Sequence, residues 1–256
     1  MAKFELAETL DQLTDVGNQG QACALPNIRN IGFFHLGSAD KQPPHLSLRE
    51  ALKSSPQVCK GESLIVLPEG FNYTRGYCWK AGEPDLSIDA AIQNLSAEFS
   101  VAFVAGLMEP LSAGRRYNSA FLIDGGTRRL LARKREDDGF FNYECATCNR
   151  PHFHRGVWIA ALVCVDGFGF NEARPKECQR NVLASLASRP SKVLCVPATT
   201  HDHGTVEIAQ RWAAHLPIVI ANADNNQPSV AQVASQSIAY RGTANKACVI
   251  AMCPTD

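Results

Sequence analysis

The chain has 256 residues, 25 of them basic and 25 acidic, for a formal net charge of 0, with 45% hydrophobic and 20% charged side chains. That balance excludes a disordered or fibrous chain, and it provides no global field to recruit a nucleic acid or an anionic membrane. A domain of this length buries roughly 70–75% of its unfolded surface, so a core forms without disulfide staples.

Residues 1–27 are polar and broken by Gly17, Gly20 and Pro26, which predicts a loose N-terminal arm ahead of a single domain over 28–256. The opening MAKFELAETLDQLTD contains acidic residues and lacks the apolar centre of a signal peptide. Ten cysteines (Cys23, Cys59, Cys78, Cys145, Cys148, Cys164, Cys178, Cys195, Cys248 and Cys253) occur in a chain too long and too rich in core residues for a disulfide scaffold. A reducing, cytoplasmic setting with free thiols is expected. The longest apolar run, Val157–Val165, is about half the length of a spanning helix, so no transmembrane segment is expected.

In chain order, short β-branched runs predict strands at Ile31–Phe34, Leu64–Leu67, Val101–Leu107, Ser119–Asp124, Leu130–Lys134, Val157–Val165, Lys192–Pro197, Pro217–Ala223, Ser237–Tyr240 and Cys248–Cys253. Several are apolar at every position, the mark of strands covered on both faces. Between them lie helical patterns at Leu46–Ser55, Ser87–Ser100, Arg180–Ser188 and Thr205–Leu216. In the second helix, Ile88, Ile92, Leu95 and Phe99 recur at helical spacing behind the cap candidates Asp85 and Ser87. In the fourth, Ile208, Trp212 and Leu216 line one face behind Thr205. Strands alternating with helices predict a layered α/β fold.

Three strand ends each finish in a reactive group. LIVLPEG sets Glu69 after a strand, LLARK ends in Lys134, and VWIAALVCVDG delivers Cys164 into a turn at Gly167. A thiol of ordinary acidity is only a few per cent thiolate near neutrality, so nucleophilic chemistry needs a proton acceptor and benefits from a cation nearby. Glu69 and Lys134 supply those two groups.

These three segments, LPEG, YNSAFLIDGGTRRLLARK and ALVCVD, resemble the catalytic segments of the nitrilase, or carbon–nitrogen hydrolase, superfamily. Their order and spacing agree: sixty-five residues separate Glu69 from Lys134, and thirty separate Lys134 from Cys164. Downstream, VCVPATT, the helix with Arg211 and Trp212, VIANADN and SQSIAYRG resemble the later landmarks, so the likeness runs over about residues 30–253. The resemblance implies a four-layer α-β-β-α sandwich and a Glu69-Lys134-Cys164 triad acting through a thioester, with the Val165 N–H as a second oxyanion donor. No metal or organic cofactor is implied. Cys164-Val165-Asp166 resembles the amide-hydrolysing branches, where nitrile-hydrolysing members tend to have Cys-Trp-Glu. An amidase or carbamoylase acting on a small-molecule amide is therefore expected, as a homodimer; the alternatives are a nitrilase-like scaffold that binds without turnover and a true nitrilase. Many members also place a second glutamate after the lysine. In KREDDGFFNYE, Glu136 and Glu144 are the candidates, Glu144 the better by distance.

YECATCNRPHFHRG brings Cys145, Cys148, His152 and His154 into ten residues, a ligand set of the type zinc takes. One short turn hardly wraps four ligands around a metal, so an ordinary active-site loop is expected there. His201 and His203 are expected in an exposed loop. Phe71, Tyr73, Trp79, Phe140, Phe141 and Phe168 are candidates for a partly apolar pocket wall or for core.

Overall fold

The strands of the first sheet owe their position to a two-residue alternation of apolar side chains. In β2 (Ser63–Leu67), Leu64 and Val66 face one hydrophobic cluster while Ile65 and Leu67 face another. In β3 (Ala102–Pro110), Ala102 and Val104 divide from Phe103, Ala105 and Leu107 in the same way. A strand apolar on both faces must be covered on both faces, and this requirement builds the layers.

The computed structural model describes residues 27–36, 42–55, 58, 62–73, 84–112, 115–136, 144, 149–200, 203–223, 227–233, 236–241 and 248–255. The expected N-terminal arm, save Asn27, lies outside them.

The first sheet has the order β12-β1-β2-β3-β4-β5, with β1 at Asn30–Leu36, β4 at Arg116–Asp124, β5 at Thr127–Arg133 and β12 at Cys248–Pro254. The second has the order β6-β7-β8-β9-β10-β11: β6 (His152–His154), β7 (Val157–Ala161), β8 (Lys192–Ala198), β9 (Ile218–Asn222), β10 (Ser229–Val233) and β11 (Gln236–Tyr240). In each, the second to fourth strands run parallel, the first is antiparallel to them, and the last two continue as an antiparallel meander. Helices α1 (Pro44–Lys53) and α2 (Leu86–Phe99) cover the outer face of the first sheet. Helices α3 (Glu177–Leu186) and α4 (Thr205–Ala213) cover that of the second. The two inner faces pack on each other, so the architecture is the α-β-β-α sandwich expected from the sequence.

All ten expected strands and four helices are present, with shifted ends. Asp85 caps α2 by accepting from Ser87 N at 2.9 Å, and Ile88, Ile92 and Leu95 are buried. Thr205 is not the cap of α4. Gly204 precedes the helix, and the Thr205 hydroxyl donates to Pro228 O at 2.7 Å. Expected to continue through Val165, β7 ends at Ala161, because the chain turns into a 3-10 turn at Cys164–Asp166. Two strands were not expected. The histidines of β6 read as a metal-type pattern, and β10 is a five-residue run behind Pro228 in polar sequence.

Candidate active site

The site forms where the carboxyl ends of parallel strands from both sheets meet. After β2, Pro68 ends the apolar run and the chain turns at Gly70, whose φ of 62° suits a residue without Cβ. Asn72 fastens this turn to β3 with two 2.9 Å bonds, accepting from Met108 N and donating to Met108 O. Glu69 N donates to Ala198 O at 3.4 Å, tying the end of β2 to the end of β8 in the opposite sheet. The sheets approach so closely that a Cβ on Gly106 would stand 2.6 Å from Glu69 Cα and 2.7 Å from Pro197 Cβ.

Lys134 leaves β5 with its N–H donated to Asn118 O at 2.7 Å, and its Nζ donates to Glu69 Oε1 at 2.9 Å. Both side chains are buried, Lys134 at 0% and Glu69 at 1% exposure. Such a pair survives because each charge answers the other, and losing either partner strands a charge at a cost of about 3–5 kcal/mol. Asn118 Nδ2 also donates to Glu69 Oε1. Asn118 Oδ1 is buried and meets no partner among the described residues.

Cys164 sits at φ 49° in the turn after β7, in the left-handed region that non-glycine residues rarely adopt. The surroundings hold it there. Lys176 Nζ donates to Val165 O at 2.7 Å, Gln179 Nε2 to Asp166 O at 3.0 Å and Phe168 O at 2.9 Å, and Trp212 Nε1 to Gly167 O at 2.8 Å. The turn's own bonds begin with Asp166 N to Val163 O at 3.1 Å, and the Val165 N–H finds no acceptor among the described residues.

Cys164 lies close enough to Glu69 and Lys134 to feel both charges, so the three sequence-predicted catalytic residues fall in one neighbourhood. Burial, and then the negative Glu69, push the Cys164 thiol up, while Lys134 and a 3.6 Å contact to Thr199 O pull it down. The balance leaves the thiol above its ordinary value. Thr200 beside it is fixed by Asn222, whose Oδ1 accepts from Thr200 N at 2.9 Å and whose Nδ2 donates to Thr200 O at 3.2 Å.

Glu144 N donates to Arg116 O at 2.8 Å, two residues along β4 from the carbonyl that receives Lys134 N, and its carboxylate pairs with Arg115. Glu136 pairs instead with Lys176 at 2.7 Å. His152 and His154 lie on one face of β6, with His154 Nε2 3.5 Å from Asp124 Oδ2. Cys145 and Cys148 lie outside the described residues, as do His201, Trp79, Phe140 and Phe141. Phe71 stacks edge-on with Phe34 at 5.8 Å in the cluster under α1 and α2, so it is core. Tyr73 accepts from Arg116 Nη1, and Phe168 is buried beside His203. Asn118, Asp166, Thr200 and Asn222 stand in the segments YNSAF, CVD, LCVPATT and VIANADN, and their local pattern does not mark what their side chains hold.

No protein-family model and no curated protein matches the sequence. Solved structures do. A double mutant of the amidase from Nesterenkonia sp. AN1, in complex with acrylamide, gives a TM-score of 0.65 at 15% identity over 89% of this chain and 91% of that one. Another structure of a Nesterenkonia amidase gives 0.63 at 18% identity over 93% of both chains. A carbon–nitrogen hydrolase from Helicobacter pylori G27 gives 0.57 at 17% identity over 90% of both. The chain thus has the α/β fold of nitrilase-superfamily amidases.

Proposed function

We propose that this protein is a hydrolase of the nitrilase superfamily that cleaves a C–N bond other than a peptide bond, in a small amide or N-carbamoyl compound. The observation that carries the reading is the buried Glu69–Lys134 pair set against the Cys164 thiol. A protonated thiol needs a base that acts as it attacks, and Glu69 is that base. Cys164 Sγ adds to the carbonyl carbon as its proton passes to Glu69. The tetrahedral oxyanion is met by Lys134 Nζ and the N–H of Val165, and losing one such donor costs about 10²–10³ in rate. Glu69 then returns the proton to the leaving nitrogen, which departs as ammonia or an amine and leaves a thioester. Water, deprotonated by Glu69, cleaves the thioester, releases the acid and restores the thiol. Glu144, anchored by Arg115 alongside β4, helps hold substrate at the rim.

The neighbours support amide chemistry: structures of the Nesterenkonia amidase include one in complex with butyramide and one with the acetamide moiety of fluoroacetamide added covalently at its active site cysteine. No described helix is long and apolar enough to cross a membrane, and Cys164, Cys178, Cys195, Cys248 and Cys253 are free thiols. Free thiols fit a reducing, cytoplasmic setting, and a homodimer is part of the same proposal.

The test has two arms. Cys164→Ala is expected to lower ammonia release from small amides by at least about 10⁴-fold while the protein still melts cooperatively. Limiting iodoacetamide, mapped by peptide mass, is expected to label Cys164 first in wild type and more slowly in Lys134→Ala. Full activity in Cys164→Ala, or labelling indifferent to Lys134, overturns the mechanism.

A further inference from the structure

Asp166 is two residues from the nucleophile, and its carboxylate reaches across to the other sheet. Oδ2 accepts from Arg135 N at 2.7 Å and Oδ1 from Glu136 N at 2.9 Å, the two residues that follow Lys134. The side chain is almost wholly buried, and its carboxyl is pushed up to about 6, chiefly by burial. A buried carboxylate is costly where a neutral side chain would pack, so its retention calls for a reason. Two consecutive backbone N–H groups pointing one way need two acceptors in a fork. A carboxylate supplies both, whereas an amide supplies one and turns an N–H against the other donor.

We propose that Asp166 is a positioning residue that clamps the exit of β5 onto the Cys164 turn and thereby fixes Lys134 against the thiol. Lys134 is held on one side by its N–H bond to Asn118 O and on the other by this fork, so its ammonium has a short, fixed reach. The turn that carries Asp166 is itself fastened by Lys176, Gln179 and Trp212, so the clamp closes on a rigid partner. The charged and titratable groups around the carboxylate are Lys134, Arg135 and Glu136 from the β5 exit, and Lys176 and Cys178 beside α3. Lys176 already pairs with Glu136, while Asp166 is answered by the two backbone N–H groups. Asp166 touches no reacting atom. It acts through Lys134, and this role rests on the hydrolase reading above.

The experiment is a double-mutant cycle read by the rate of Cys164 alkylation, which requires no knowledge of the substrate. Asp166→Asn is expected to slow alkylation by about tenfold or more, as misplacement of a functional group by about 1 Å does. In a Lys134→Ala background, the same substitution is expected to change nothing further. A purely structural role would lower the melting temperature and slow both backgrounds equally, and that additivity overturns the proposal. If Lys134→Ala itself leaves alkylation unchanged, the triad reading fails first, and the clamp has nothing to position. A variant-free measurement stands beside the cycle in case Asp166→Asn does not fold. In wild type, the pH profile of Cys164 alkylation is expected to show, below the rise that thiol ionisation produces, an inflection at the midpoint where the amide proton shifts of Arg135 and Glu136 titrate. A profile without that inflection overturns the coupling.

Discussion

The two sheets repeat one order of strand directions, yet equivalent strand ends carry different chemistry. Two residues past β2 stands Glu69, and two residues past β8 stands Thr200. The residue after β5 is Lys134, wholly buried, whereas the residue after β11 is Arg241, exposed to solvent. Glu69 and Lys134 neutralise each other at 2.9 Å, while Thr200 is held by the neutral amide of Asn222. One half therefore brings the ion pair, and the other supplies a thiol in a turn held by Lys176, Gln179 and Trp212. Topology provides matching slots, but a charge stays buried only where its neighbours bring a counter-charge or hydrogen-bond donors.

The sharpest way to break that comparison is to remove the two equivalent cations. Lys134→Ala should cost about 3–5 kcal/mol in urea unfolding, because Glu69 is left buried without its cation. Arg241→Ala should stay within about 0.5 kcal/mol, as surface substitutions do. Equal costs would mean that the two slots do not differ as described.

A smaller effect is expected where the halves touch. Gly106→Ala forces a Cβ between Glu69 Cα and Pro197 Cβ, so the sheets must part beside the site. Overpacking of this kind costs about 1–3 kcal/mol, and it should also slow Cys164 alkylation by moving Glu69. Unchanged stability and labelling would show that the sheets have slack there.

The subtlest expected effect is on pH dependence. Burial raises the Asp166 carboxyl from 3.8 to about 6 in the folded protein. A carboxyl raised on folding favours the folded state below its unfolded value of about 4 and loses that contribution as pH rises through about 6. Between pH 5 and 7, the stability of Asp166→Asn relative to wild type should therefore shift in favour of the variant. Unfolding curves at the two pH values check this, and a gap that stays constant would mean that Asp166 does not titrate in this window.

Apolar alternation made the ten expected strands and the helix stripes legible, because a fully apolar strand has to be covered on both faces. The strand-end residues Glu69, Lys134 and Cys164 were legible as chemistry for the same reason: Pro68 and Gly167 punctuate the runs that carry two of them. What the sequence could not disclose depends on distance in space. The fork from Asp166 to Arg135 and Glu136 spans about thirty residues, and Asn222 meets Thr200 from the next strand. Neither bond leaves a local pattern, since hydrogen-bond partners across strands are chosen by register and turn geometry. The left-handed turn at Cys164 is likewise a tertiary result, imposed by Lys176, Gln179 and Trp212 on a residue that would extend the strand if left to its neighbours. The sequence by itself determined which groups are present and which elements carry them. Tertiary structure alone decided that the charges of one sheet close on the thiol of the other, because a buried ion pair is stable only where packing brings both partners and their hydrogen bonds together.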